Sequence, residues 1–161
     1  MELERKSLTL EVKNVDDSGT FEGYAAAFGN VDAWNDIILA GAFRATLKDH
    51  KAKKTMPALL WQHIASQPIG VLVDMSEDDF GLFVKGSLLR NDVQQAKEAH
   101  ALLKAGAIRG MTIGYYARDY SMDEKTWIRT LKKIDLIETS LVTLPANDAA
   151  RVTGVKGVEV K

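Results

Sequence analysis

Cysteine is absent from the 161-residue sequence. This excludes disulfide bonds, thiolate nucleophiles and cysteine-ligated zinc, and it is compatible with a reducing compartment. No apolar run is long enough to span a bilayer, and charged residues follow Met1 where a signal peptide would place its apolar core. We therefore expect a soluble intracellular protein that has no membrane partner.

An excess of charge of either sign is also lacking. Lysine and arginine number 21 and aspartate and glutamate 22, which gives a formal net charge of −1. This balance offers no broad electrostatic surface to nucleic acid. There is no glycine-rich phosphate loop and no cluster of metal ligands, and Asp32 and Asp36 do not have the spacing of a calcium loop. The sequence thus predicts no nucleic-acid partner, no metal and no cofactor.

What is present is strand-like alternation over most of the chain. A hydrophobic content of 46% is enough for one globular core, and no repeat, low-complexity segment or linker divides the sequence. Two helical segments separate groups of short strands rather than alternating with them. The pattern predicts a mainly β fold with helices, an antiparallel β-barrel, as a single domain over 1–150 with a loosely ordered C-terminal tail over 151–161.

Alternation and turn residues locate the individual elements. The predicted strands are Leu8–Val12, Thr20–Ala25, Pro57–His63, Val71–Val73, Phe80–Val84, Met111–Tyr120, Trp127–Ile137 and Thr139–Leu144. The first two are predicted to form a hairpin around the turn at Asp16–Gly19. One helix is predicted near Gly41–Lys53, and a second is predicted to have Asn91-Asp92 as its N-cap and Gly106 as its stop.

A hydroxyl side chain, Thr112, lies between two glycines at the start of a predicted strand, in Gly110-Met111-Thr112-Ile113-Gly114. The segment has the form of a G-x-S-x-G nucleophile elbow, but an elbow needs a strand before it and a helix after it, and here the order is reversed. Two interpretations of Thr112 are therefore open. It is either a nucleophile or an ordinary strand residue of high β propensity.

The histidine of greatest interest is His63. With a period of two, Leu59, Trp61 and His63 are predicted to share one face of a strand. His63 is then either a catalytic base or a half-buried histidine with one hydrogen-bonded nitrogen. His50 is predicted to lie on a solvated helix end, and His100 at a core or boundary position of the second helix.

An unexpected carboxylate, Glu138, falls in phase with the apolar residues of a predicted strand. Burying a carboxylate costs several kcal/mol, roughly, unless it is paired. The partner could be a histidine donating its Nδ1–H, or an arginine such as Arg109 or Arg129. Ser140 shares the face of Glu138 and is kept as a second candidate nucleophile. A hydroxyl, an imidazole and a carboxylate are together the components of a nucleophilic hydrolase.

Several short segments follow one another in an order and spacing typical of one protein family. They are Gly23-Tyr24-Ala25, Gly29-Asn30-Val31-Asp32, Gly41-Ala42-Phe43, Leu59-Leu60-Trp61-Gln62-His63, Pro68-Ile69-Gly70, Asp79-Phe80-Gly81-Leu82, Gly110-Met111-Thr112-Ile113-Gly114-Tyr115 and Glu138-Thr139-Ser140-Leu141-Val142-Thr143-Leu144-Pro145-Ala146. From Phe21 to Val152 the chain resembles the prohead maturation proteases of tailed phages, the HK97-like family, which is related in fold to the herpesvirus assemblin proteases.

This resemblance implies a role for each candidate residue. His63 stands at the position of the family's catalytic histidine, and Thr112 at the position where the family usually has its nucleophilic serine. Glu138 begins the family's Glu-x-Ser-Leu-Val motif and is expected to be the orienting acid. That motif makes Ser140 a structural residue rather than the nucleophile.

The resemblance also implies a biological role. It predicts a serine-type endopeptidase that cleaves scaffold segments of the major capsid protein, and its own chain, inside the assembling procapsid in the host cytoplasm. Because assemblin relatives associate, a homo-oligomer is a further expectation. The threonine methyl restricts χ1 and crowds the path of attack. The alternatives are therefore a threonine enzyme, a silenced and catalytically inert scaffolding component, or a peptide-binding β module.

Overall fold

The computed structural model describes residues 1–8 and 15–143. Most of the first strand of the predicted hairpin, Leu8–Val12, falls on residues outside these ranges, as do the end of the predicted last strand and the predicted tail over 151–161. The described chain forms β1 (Glu4–Leu8), β2 (Thr20–Ala27), β3 (Asp36–Ile38), α1 (Arg44–Lys53), β4 (Ala58–Trp61), β5 (Ile64–Glu77), β6 (Gly81–Leu88), α2 (Gln94–Lys104), β7 (Gly110–Met122) and β8 (Arg129–Val142).

All eight strands belong to one sheet. Its order is β1-β7-β8-β4-β5-β6-β2, and β3 pairs with β8 beside this path. The sheet curls so that β2 also packs against β7 and β1, although among the described residues no strand pairing closes that gap. The predicted β-rich fold with helices is therefore confirmed, in the form of a curled half-barrel. The pairing is not antiparallel throughout, because β3 and β4 both run parallel to β8.

The core fills the concave side of the curled sheet. Large side chains from several strands and from the α1 entry are almost completely buried, among them Phe21, Phe43, Leu59, Ile113 and Leu131. Alternation of buried positions with less buried ones along β2 and β6 is the expected consequence of one face packing on this core.

The start of α2 differs from its prediction. Val93, rather than Asn91 or Asp92, is the N-cap residue, and no side chain caps the helix. The physical reason is a tight turn before the helix, in which the backbone N–H groups of Asp92 and Val93 both donate to the carbonyl of Leu89. The predicted stop is confirmed, since Gly106 has a φ of 81° just past the helix end.

Candidate active site

The sheet order brings three sequence-distant segments to one place. β8 lies between β7 and β4, with β7 antiparallel and β4 parallel to it. Glu138 on β8 is opposite Gly114 of β7, and Ser140 is opposite Thr112. On its other side, Glu138 is opposite Ala58, at the start of the strand that leads to His63.

His63 does not lie on a strand face with Leu59 and Trp61, as the period-two pattern predicted. Strand β4 ends at Trp61, and Gln62 and His63 form a two-residue turn into β5 with φ values of 53° and 63°. Two successive positive φ values are the pattern of a type I′ hairpin turn, which glycine and asparagine normally occupy. For residues with a Cβ the left-handed conformation costs roughly 1–2 kcal/mol each. Such strain is concentrated at functional sites.

The imidazole of His63 joins the two other candidate side chains. Its Nε2 lies 2.8 Å from Thr112 Oγ1, and its Nδ1 lies 2.6 Å from Glu138 Oε1. Thr112 is fully buried and Glu138 is 6% exposed, whereas the His63 side chain is 19% exposed. When Nδ1–H donates to Glu138, Nε2 is free of hydrogen and accepts the Thr112 hydroxyl proton. This arrangement can activate a hydroxyl for attack on a carbonyl.

The Glu138 carboxylate is held on both of its oxygens. Oε1 faces His63, and Oε2 accepts a hydrogen bond of 2.9 Å from the Ser140 hydroxyl. Gly114 leaves space for it, because a Cβ at this position would lie 2.5 Å from Oε1. The alternative partner Arg129 instead binds Glu4 and Asp36. Of the two partners considered for Glu138, a histidine and Arg129, the structure therefore favours the histidine, His63.

Strand β1 covers the candidate nucleophile. It pairs antiparallel with β7, with Lys6 opposite Ile113 and Ser7 opposite Thr112. The Thr112 hydroxyl also lies 2.9 Å from the backbone carbonyl oxygen of Lys6, to which it can donate. The single hydroxyl proton thus has two acceptors within reach, the Lys6 carbonyl and His63 Nε2.

A buried cluster of charges anchors β1, and the sequence interpretation missed it. The Lys6 ammonium, 1% exposed, lies 2.5 Å from Asp32 Oδ2 and 2.7 Å from Asp36 Oδ2. Arg129 donates to both oxygens of Asp36 at 2.9 Å and to the Glu4 carboxylate. Burial alone would raise the pKa of Asp36, but the hydrogen bonds and charges of Arg129 and Lys6 hold this pKa below its ordinary value. The hydrogen bonds from Arg129 to Asp36 and Glu4 raise the pKa of Arg129.

The two other histidines lie away from this site, as the sequence indicated. His50 is within 2.8 Å of Thr55 Oγ1, and His100 is within 2.7 Å of the Asp16 carbonyl oxygen. Across residues 1–8 and 15–143, no three or more histidine, aspartate or glutamate side chains are grouped so that they could hold a metal ion. None of the helices in the same ranges is long and apolar enough to cross a membrane.

Comparisons with known proteins point to one protein family. The family model described as Caudovirus prohead serine protease matches residues 8–160. The prohead protease of Enterobacteria phage HK97 is 34% identical over 146 residues, which are 88% of this chain and 62% of that protein. The prohead protease of Escherichia phage T5 is 28% identical over 116 residues, 72% of this chain and 53% of that protein. This chain therefore belongs to the Caudovirus prohead serine protease family, as the sequence motifs predicted.

Two further relatives extend the comparison. A capsid polyprotein of Pseudomonas phage PAJU2 is 28% identical over 164 residues, which cover 99% of this chain and 23% of that protein. The chain spans less than two thirds of the length of each of these curated relatives. The structure of the bacteriophage T4 capsid assembly protease superposes with a TM-score of 0.66 at 13% identity, over 86% of this chain and 98% of that one. At this identity the likeness shows a shared fold.

Proposed function

We propose that this chain is a phage prohead maturation endopeptidase of the serine-protease type that works with a threonine nucleophile. The observation that carries the proposal is the hydrogen-bonded series from Thr112 Oγ1 through His63 to Glu138, at 2.8 and 2.6 Å, in a member of a prohead serine protease family. Thr112 is the nucleophile, His63 the general base and acid, and Glu138 the orienting group.

The proposed reaction proceeds in two halves. His63 Nε2 removes the Thr112 proton as Oγ1 attacks the scissile carbonyl carbon, and the protonated His63 then delivers that proton to the leaving amine. A water molecule, deprotonated by His63, hydrolyses the resulting ester and regenerates Thr112. Glu138 holds the imidazole in the Nδ1–H tautomer throughout and stabilises its charged form.

A threonine at this position can act as the nucleophile, but we expect it to cleave more slowly than a serine. Its hydroxyl is within reach of His63, but its methyl group limits χ1 and narrows the path to a carbonyl. A displacement of about 1 Å from the reactive geometry can cost on the order of a hundredfold in rate. We therefore expect Thr112→Ser to accelerate cleavage.

The proposed substrates are scaffold segments of the major capsid protein and the chain itself. Two relatives named as prohead proteases and one named as a capsid polyprotein support a capsid partner. The proposed location is the interior of the assembling procapsid in the host cytoplasm, where several copies of the enzyme can associate.

Intact-mass spectrometry tests this proposal directly. The chain is incubated with its capsid protein beside Thr112→Ser, Thr112→Ala and His63→Ala versions, and masses are followed over time. We expect new fragments from the natural chain, more rapid cleavage by the serine version and none from the other two. Equal cleavage by Thr112→Ala would exclude Thr112 as nucleophile.

An inert scaffolding component is the second candidate. The complete burial of Thr112 beneath β1, with its hydroxyl against the Lys6 carbonyl, favours it. It predicts that the natural chain leaves the capsid protein intact. Cleavage by the Thr112→Ser version alone would identify a silenced protease, and no cleavage by either would identify a scaffold protein.

A further inference from the structure

We infer that β1 occupies the position of a bound substrate, with Lys6 on the acyl side of the scissile bond, and that the enzyme cleaves peptides after a lysine. Its own Lys6–Ser7 bond is then a processing site. This inference rests on the proposed function and specifies its substrate class.

The backbone of β1 lies where a peptide would bind. It is an edge strand that adds to β7 in antiparallel register, with Lys6 opposite Ile113 and Ser7 opposite Thr112. Addition of an extended peptide to a sheet edge is a common mode of peptide recognition, because the main-chain hydrogen bonds supply affinity for any sequence. Side-chain pockets then supply the selectivity.

The carbonyl next to the nucleophile belongs to Lys6. Of the β1 carbonyls, this is the one whose oxygen the Thr112 hydroxyl contacts, at 2.9 Å. Turning the hydroxyl proton from this oxygen to His63 Nε2, 2.8 Å away, leaves an oxygen lone pair directed toward β1. The bond that follows this carbonyl carbon is the one between Lys6 and Ser7.

The Lys6 side chain fills a pocket built by other elements. Asp32 and Asp36 receive its ammonium group, and the ring of Trp34 lies 5.2 Å from Nζ. Asp32 Oδ1 is fixed by the backbone N–H groups of Trp34 and Asp36, at 2.9 and 3.1 Å, and Asp36 is fixed by Arg129. These contacts to Asp32 and Asp36 come from residues outside β1.

The charge of this pocket sets its preference. When β1 leaves, the carboxylates of Asp32 and Asp36 line the empty pocket. Arg129 balances one of their two negative charges, so the pocket keeps one unbalanced negative charge. A lysine restores the balance, whereas a methionine of similar length leaves one carboxylate charge without a counter-ion and a glutamate adds repulsion. Sites built to pair a buried polar group reject substrates that lack it by large factors. We expect lysine to be favoured over methionine by about 100-fold or more in kcat/KM.

Cleavage of the chain's own Lys6–Ser7 bond needs water as its only other reactant. Thr112 Oγ1 forms an ester with the Lys6 carbonyl carbon, the C–N bond to Ser7 breaks, and His63 returns the hydroxyl proton to the Ser7 amine. Water then hydrolyses the ester. The products are a fragment with a carboxylate at Lys6 and a chain with a free amine at Ser7.

Two readouts on the full chain test the inference. The first is mass spectrometry of the Thr112→Ser protein for a new N-terminus at Ser7, repeated with Lys6→Arg and Lys6→Met. The second is the cleavage rate of synthetic peptides spanning residues 2–10, with lysine or methionine at position 6. Both peptides are then given to Asp32→Asn, whose amide oxygen retains the Oδ1 contacts but removes the charge facing Lys6. Asp49→Asn, an exposed site on α1, is the matched control.

The inference predicts that the Thr112→Ser protein is cut between Lys6 and Ser7 and that Lys6→Met abolishes this cut. It also predicts that the enzyme cleaves the lysine peptide faster than the methionine peptide. Asp32→Asn should abolish this preference, and Asp49→Asn should preserve it. A purely structural role of Asp32 would instead slow both peptides equally in Asp32→Asn, and that result would overturn the inference. Equal cleavage of the two peptides, beside normal cleavage of capsid protein, would also overturn it while the proposed function stands. If capsid protein is not cut by the natural chain or by Thr112→Ser, the proposed function fails and this inference with it.

Discussion

The Ser140 hydroxyl lies 2.9 Å from the Glu138 carboxylate, two positions earlier on the same strand, and donates a hydrogen bond to it. The Ser140 hydroxyl oxygen also accepts a hydrogen bond of 3.1 Å from the backbone N–H of His63. One small side chain therefore links Glu138, the proposed orienting acid, to the strained turn that carries the imidazole. Ser140 is thus placed to position two of the three candidate catalytic residues rather than to attack a substrate.

The first prediction concerns Ser140→Ala. Removing the hydroxyl frees Glu138 Oε2 and the His63 turn, so we expect kcat/KM to fall by roughly 10- to 100-fold. The free energy of unfolding should fall by only about 1–2 kcal/mol, because one buried hydrogen-bonding group is removed. Steady-state kinetics and urea denaturation measure the two effects. Ser121→Ala, at an exposed position of β7, is the control, and equal kinetics for the two variants would contradict the positioning role.

The second prediction concerns Gly114→Ala. The added methyl group would meet Glu138 Oε1 at 2.5 Å, so the carboxylate must move away from His63. We expect a loss of activity of about 100-fold and a stability cost of about 1–3 kcal/mol. If the effect passes through Glu138, then adding Glu138→Ala to Gly114→Ala should cause little further loss of activity. Fully additive losses would show that the two residues act independently.

The third prediction concerns the tautomer of His63. Glu138→Gln keeps the size of the side chain but removes the charge that holds Nδ1–H in place. We expect kcat to fall by roughly 10³- to 10⁴-fold, as in hydrolases whose orienting acid becomes an amide. The thermal midpoint should change little, which separates a catalytic defect from misfolding. A variant with nearly normal kcat would remove Glu138 from the proposed mechanism.

The fourth prediction concerns acid stability. The pKa of Asp36 is lowered in the folded state, so its ion pairs contribute stability above the unfolded-state pKa of about 3.9. That contribution is lost as the pH falls through the folded-state pKa, because the unfolded state takes up its proton first. Urea denaturation between pH 7 and pH 3 should therefore show a steeper loss for the natural chain than for Asp36→Asn. Parallel curves for the two proteins would contradict this account.

Much of the site could be predicted from the sequence because its signals are local. A hydroxyl between glycines, a histidine after a strand and a carboxylate in phase with apolar residues each stand out. The structure places His63 within hydrogen-bond distance of both Thr112 and Glu138. Their catalytic roles are the proposal made above.

The remainder could not be predicted, for physical reasons that differ between elements. Alternation of polar and apolar residues cannot locate β1, because one of the residues that it buries is the charged Lys6. The partners of Lys6, Asp32 and Asp36, are 26 and 30 positions away along the chain. The turn at Gln62–His63 is equally hidden, since neither residue is one of the glycine, asparagine or aspartate residues that usually mark such a turn. The parallel pairing of β4 with β8 depends on the whole sheet, and no local pattern encodes it.

The parallel pairing of β4 with β8 also sets the order in which the candidate site assembles. Ala58 lies opposite Glu138, and His63 is 75 positions before the carboxylate that orients it. Contacts over such separations form late, because the entropy of closing the intervening chain must first be overcome. A nascent or partly folded chain therefore has a hydroxyl and a histidine but no assembled base. Under the proposed mechanism, a growing chain therefore could not cleave itself before β8, the last strand described, takes its place in the sheet.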